Sequence, residues 1–67
     1  MEAILNDKEF LEILIKKFPE DEKTHLKEEY NKLTNKHQKV DFLYTISEFI
    51  DYDYKSCMEI LKRNFFT

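Results

Sequence analysis

Residues 35–50 read Asn35-Lys36-His37-Gln38-Lys39-Val40-Asp41-Phe42-Leu43-Tyr44-Thr45-Ile46-Ser47-Glu48-Phe49-Ile50. Val40, Leu43, Ile46, Phe49 and Ile50 recur at the three- and four-residue steps of one helix face, and no strand-like alternation competes with them. Asn35 opens the segment with a side-chain acceptor, and Gln38 three residues later completes a capping-box pattern. Phe42 and Tyr44 flank the stripe. This is the most apolar helix of the chain and is expected at its centre, with Leu43, Ile46 and Phe49 in the core beside Leu61.

Upstream, Leu26, Tyr30 and Leu33 form a narrow seam on an otherwise polar helix, so that helix touches a neighbour on one side only. Glu20, Asp21 and Glu22 suit its first turn, where carboxylates complement the helix dipole. Pro19 suits its first position, because the missing N–H costs nothing there. The same proline ends the helix before it, since it disfavours helical geometry at Phe18. That first helix starts at the capping box Asn6-Asp7-Lys8-Glu9. It carries Phe10, Leu11, Leu14, Ile15 and Phe18 on one stripe, widened by Ile13. Met1 to Leu5 are read as a short turn ahead of it.

Downstream, Asp51-Tyr52-Asp53 is a tight connection with Asp53 as the N-cap of a last helix. Tyr54, Cys57, Met58, Leu61 and Phe65 form its stripe, broadened by Ile60. One boundary stays open. No Gly or Pro follows Pro19, and Leu26, Tyr30, Leu33, His37 and Val40 also fit the 4-3-4-3 spacing of one continuous helix. The expected fold is therefore all-α, a small bundle of three or four short helices packed as antiparallel hairpins in a single helical domain over residues 1–67.

Composition excludes several functions. A chain of 67 residues has room for one small domain and not for a multidomain enzyme. A single Cys rules out an internal disulfide, and two His with one Cys make a poor zinc set. The absence of Gly removes glycine-rich phosphate loops and the calcium loop that needs a central Gly. Eleven Lys/Arg against fourteen Asp/Glu are interspersed, and the longest basic runs are the pairs Lys16-Lys17 and Lys62-Arg63. Nucleic acid is therefore not expected as a direct ligand. No apolar run approaches the roughly eighteen residues of a membrane span. Met1-Glu2 opens without a signal-peptide pattern, and a cytoplasmic location is the default.

Isolated reactive groups have plainer explanations. Cys57 sits on an apolar stripe and reads as packing, not as a nucleophile. His25 and His37 read as surface or cap-adjacent imidazoles. The carboxylates Asp51 and Asp53 read as turn and cap residues, and no cleft is implied that would set two carboxylates against a substrate. No catalytic residue, metal site, cofactor or small-molecule substrate is expected.

The aromatics are the distinctive feature. Six Phe and four Tyr in 67 residues exceed what one narrow seam per helix can cover, and surplus Tyr and Phe are favoured interface anchors. A chain this small buries only about 60% of the surface its unfolded form exposes, which makes a partner useful. Tyr44, Tyr52, Phe65 and Phe66 are the candidate partner-binding residues. The expected partner is another protein, or a second copy in a dimer.

Taken in order, Phe18-Pro19 precedes a polar helix, then come His37-Gln38-Lys39-Val40, a helix ending in Phe49-Ile50, the Tyr52-Asp53-Tyr54 corner and Cys57-Met58-Glu59-Ile60-Leu61. This series resembles the N-terminal helical hairpins of the DNA alkylation repair family, the HEAT-like-repeat alkylpurine DNA glycosylases, over Phe18 to Leu61. The resemblance implies a HEAT-like helical fragment associated with nucleic acid or DNA repair. That family handles the damaged base in later repeats, so it assigns no catalytic residue to this chain. It also implies solenoid ends that expose apolar surface and so call for a partner.

The sequence thus points first to a non-enzymatic adaptor or inhibitor. Its Lys-, Glu-, Asn- and Ile-rich composition is that of an AT-rich genome. A small reading frame of this kind fits a phage or mobile-element protein that blocks a host factor.

Overall fold

Among the described residues the chain forms four separate helices, each opened by a residue with extended or cap backbone. The computed structural model describes residues 6–66, so the expected turn at Met1 to Leu5 lies outside the described residues. The helices are α1 (Asp7–Leu14), α2 (Glu20–Lys32), α3 (Lys36–Phe49) and α4 (Tyr54–Phe65), and no strand occurs among the described residues. The fold is a small all-α bundle.

The caps fall where short polar side chains stand. Asn6 Oδ1 accepts from the Glu9 N–H at 2.8 Å, Asn35 Oδ1 from Gln38 at 2.9 Å, and Asp53 Oδ2 from Ser56 at 2.9 Å. Each satisfies a backbone donor that the first turn leaves unpaired. The Ser56 bond holds the Asp53 carboxyl below its ordinary pKa. At Asn35 the cap coincides with extended backbone at Leu33 (ψ 136°) and Asn35 (ψ 158°). Helices α2 and α3 are therefore separate, which closes the continuous-helix alternative.

Two boundaries differ from expectation. Pro19 is the N-cap and not the first helical residue: its ψ is 157°, while its carbonyl already accepts from the Lys23 N–H at 2.9 Å. Proline fixes φ and leaves ψ free, so it fits the cap as well as the first turn. Helix α1 stops at Leu14 rather than continuing to Phe18. Beyond it the chain tightens, with Lys16 N–H bonding the Ile13 carbonyl at 3.3 Å and Phe18 N–H bonding that of Ile15 at 2.9 Å. These i→i−3 turns keep Ile15 buried while the chain reverses toward α2.

Phe10, Leu11, Leu14, Ile15, Tyr30, Leu43, Ile46, Cys57 and Leu61 form the buried apolar core. Helix α1 packs on both α3 and α4, which pack on each other. Tyr30 joins α2 to the rest: its hydroxyl donates to Asp7 Oδ2 at 2.6 Å and its ring lies 5.6 Å from that of Phe42. Tyr30 on Asp7 brings the end of α2 to the start of α1, and Lys27 pairs with Glu12 further along at 3.4 Å, so the two helices run antiparallel. The α3–α4 hairpin is also antiparallel. Cys57 Sγ donates to Ser47 Oγ at 3.3 Å, while Lys36 Nζ reaches the Phe65 carbonyl at 3.2 Å. Ser47 and Cys57 are both buried. Their small side chains let α3 and α4 approach closely, and Ser47 in turn donates to the Tyr44 carbonyl at 2.8 Å.

Phe49 departs most from expectation. It is 81% exposed, where the periodicity places it in the core. Six residues beyond Leu43, it lies about 120° around the helix from the buried face, and Ser47 takes the inward position. Ile13 is likewise 42% exposed and not part of the buried stripe of α1.

Candidate functional site

The α3–α4 hairpin leaves an open groove of about 580 Å³, lined by His37, Gln38, Val40, Asp41, Tyr44, Tyr54 and Met58. Both walls come from helices with side-chain N-caps. The wall from α3 presents His37, Asp41 and Tyr44, spaced by four and three residues and so aligned along one ridge. The wall from α4 presents Tyr54 and Met58 at the same kind of spacing. A second depression continues outward over Tyr54, Lys55, Met58, Glu59 and Lys62.

Tyr44 and Tyr54 meet across the groove with ring centroids 6.3 Å apart at 80°, an edge-to-face pair. Tyr54 is 62% exposed; Tyr44, Val40 and Met58 are half-buried. The Tyr44 hydroxyl lies 3.5 Å from Glu48 Oε2. The Glu48 charge raises the phenol pKa above its ordinary value, and the hydroxyl is the donor of this contact. The groove thus offers two aromatic faces, a flexible thioether and polar edges. Its open shape suits a protein surface better than an enclosed ligand.

The four expected partner-binding residues occupy separate places. Tyr44 lines the groove. Tyr52 is half-buried and packs edge-on against Phe10 with centroids 5.7 Å apart. Phe65 is half-buried at the far end of the hairpin, and Phe66, 50% exposed, lies under Lys36 Nζ at 5.5 Å. Tyr54 and Met58 belong with Tyr44, although the periodicity of α4 assigns both to its core stripe. The local signal for Tyr54 is its position directly after the Asp53 cap, at the first residue of α4. A second exposed apolar spot joins Phe18 and Phe49, whose rings are 6.2 Å apart.

Other candidate groups are accounted for locally. Cys57 is buried against Ser47, and His25 and His37 are exposed. No described helix is long and apolar enough to cross a membrane. No protein-family model, curated protein or solved structure matches the chain, so the groove and its side chains carry the functional reading by themselves.

Proposed function

We propose that the chain is a small non-enzymatic interaction module, an adaptor or inhibitor, that holds a partner protein in the α3–α4 groove. The observation that carries this reading is the Tyr44–Tyr54 pair, open to solvent beside Met58 and Val40. Tyrosines supply large contact area at small entropic cost, and such anchors dominate binding energy when a partner excludes water from them. The groove walls are two capped helices, so little order has to be gained on binding.

A photo-crosslinking amino acid placed at Tyr54, with one at Glu12 as control, tests the reading in cells. Position 54 is expected to yield a discrete protein adduct that position 12 does not. Equal labelling from both positions, or none from position 54, would contradict it.

The rival reading, a HEAT-like fragment associated with nucleic acid, draws on Lys36, Lys62 and Arg63, which gather where α3 begins and α4 ends. It requires DNA or RNA binding that weakens steeply with salt. Glu59 on α4 and Asp41 on α3 interrupt the basic surface along these helices, which is why protein is the preferred partner.

A further inference from the structure

The two lips of the groove carry opposite charge. On the α3 side stand Asp41, which lines the groove with His37 and Gln38, and Glu48, whose carboxylate lies 3.5 Å from the Tyr44 hydroxyl; on the α4 side stand Lys55 and Lys62, with Glu59 between them. The apolar floor of Val40, Tyr44, Tyr54 and Met58 separates the two lips. The helices are antiparallel, and the Ser47–Cys57 and Lys36–Phe65 contacts fix their register. That register puts Glu48 at nearly the height of Lys55, and Asp41 at a height between Glu59 and Lys62.

Resting on the reading that the groove binds protein, we propose that its occupant is a second copy of this chain. Two α3–α4 faces pack about a two-fold axis running along the groove, so that α3 of each copy lies over α4 of the other. In a two-fold contact each residue pair occurs twice. Glu48 meets the other copy's Lys55, Asp41 meets its Lys62, and both pairs repeat across the axis. Tyr44, Tyr54 and Met58 of one copy cover those of the other. Glu59 is the one charge on the α4 lip that opposes this pattern.

The area sets the strength. A face about 20 Å long and two helices wide covers roughly 400 Å² per copy, half of the about 800 Å² per partner of a standard stable interface. The dimer is therefore weak, forms with rising concentration and dissociates with added salt.

Equilibrium sedimentation of the full chain from about 10 µM to about 1 mM reads this directly, a range that spans weak association. The wild-type mass is expected to rise from 8.3 kDa toward a plateau at twice that value, and to fall back in high salt. The double variant Asp41→Lys/Glu48→Lys has two basic lips, and Lys55→Glu/Lys62→Glu has two acidic ones. Each alone is expected to stay monomeric, and an equimolar mixture to dimerise at least tenfold more tightly than the wild type. Helicity by circular dichroism checks that both are folded. The single changes Glu48→Lys and Lys55→Glu repeat the test if a double variant is not.

A wild-type chain that is monomeric throughout, or a mixture of folded variants that does not associate, would overturn the inference. If a monomeric chain still yields a crosslink from position 54 to a different protein, the second copy is wrong and the groove reading stands. If it yields neither a dimer nor a crosslink, both fall.

Discussion

Tyr30 is the largest fully buried side chain, and its hydroxyl would be a costly group inside the bundle without Asp7 as acceptor at 2.6 Å. Burial first, then the Asp7 bond and charge, push the phenol pKa well above its ordinary 10.0. The neutral form is thus favoured in the folded chain. The stability linked to this shift is complete below about pH 10 and is lost as pH rises toward the folded value. Tyr30→Phe is expected to cost about 1.5–3 kcal/mol at neutral pH, from the lost charge-assisted bond, and to flatten the alkaline fall. Urea unfolding near neutral pH and at about pH 11 measures both; an unchanged alkaline slope would contradict the assignment.

Asp51 is the other telling residue, with φ at 65°. The Asp51 N–H bonds the Glu48 carbonyl at 3.1 Å, and the Tyr52 N–H bonds that of Ser47 at 2.8 Å. This is the Schellman closure, with aspartate where glycine is usual. Asp51→Gly is expected to stabilise the chain by about 0.5–1 kcal/mol, because glycine adopts this backbone without steric cost. A higher urea midpoint at unchanged slope is the readout, and a lower midpoint would contradict it. The N-caps Asn6, Asn35 and Asp53 are legible in the sequence because capping uses neighbours three residues away. The Tyr30–Asp7 bond spans twenty-three positions, and the left-handed Asp51 has no residue-type signal as strong as Gly.

Element by element, periodicity places the helical segments but leaves α2 and α3 open to fusion, where only the Asn35 cap signals the break, and it misorients the end of α3. Leu43 and Phe49 are both apolar and both fit a helical stripe, but Leu43 is fully buried and Phe49 is 81% exposed. A stripe drawn by three- and four-residue steps drifts around the cylinder, and only packing against α1 shows where it stops facing inward. Leu43→Ala is expected to cost 2–5 kcal/mol, on the order of other buried leucine truncations. Phe49→Ser is expected to change stability by no more than about 0.5 kcal/mol. Thermal melts of the two variants distinguish the positions, and a comparable loss for Phe49→Ser would contradict its placement outside the core.

At the scale of the whole molecule, the number of aromatics motivates the proposal of a partner surface but does not locate it. Tyr44 is legible as a residue beside the α3 stripe. Its association with Tyr54 and Met58 is not, because the groove exists only once α3 and α4 are paired in register through Ser47 and Cys57. The same pairing separates Tyr52, which packs on Phe10, from Phe65 and Phe66 at the far end of the hairpin. On the proposed reading the groove serves binding, while Phe10, Leu43 and Leu61 hold the fold. Affinity capture from the native host with the wild type, the double variant Tyr44→Ala/Tyr54→Ala and Phe49→Ala tests that division, with melting temperatures measured in parallel. A binding groove predicts that the double variant melts within a few degrees of the wild type, a difference under about 1 kcal/mol, and loses the protein captured by the other two. Retention of that protein by the folded double variant would contradict it.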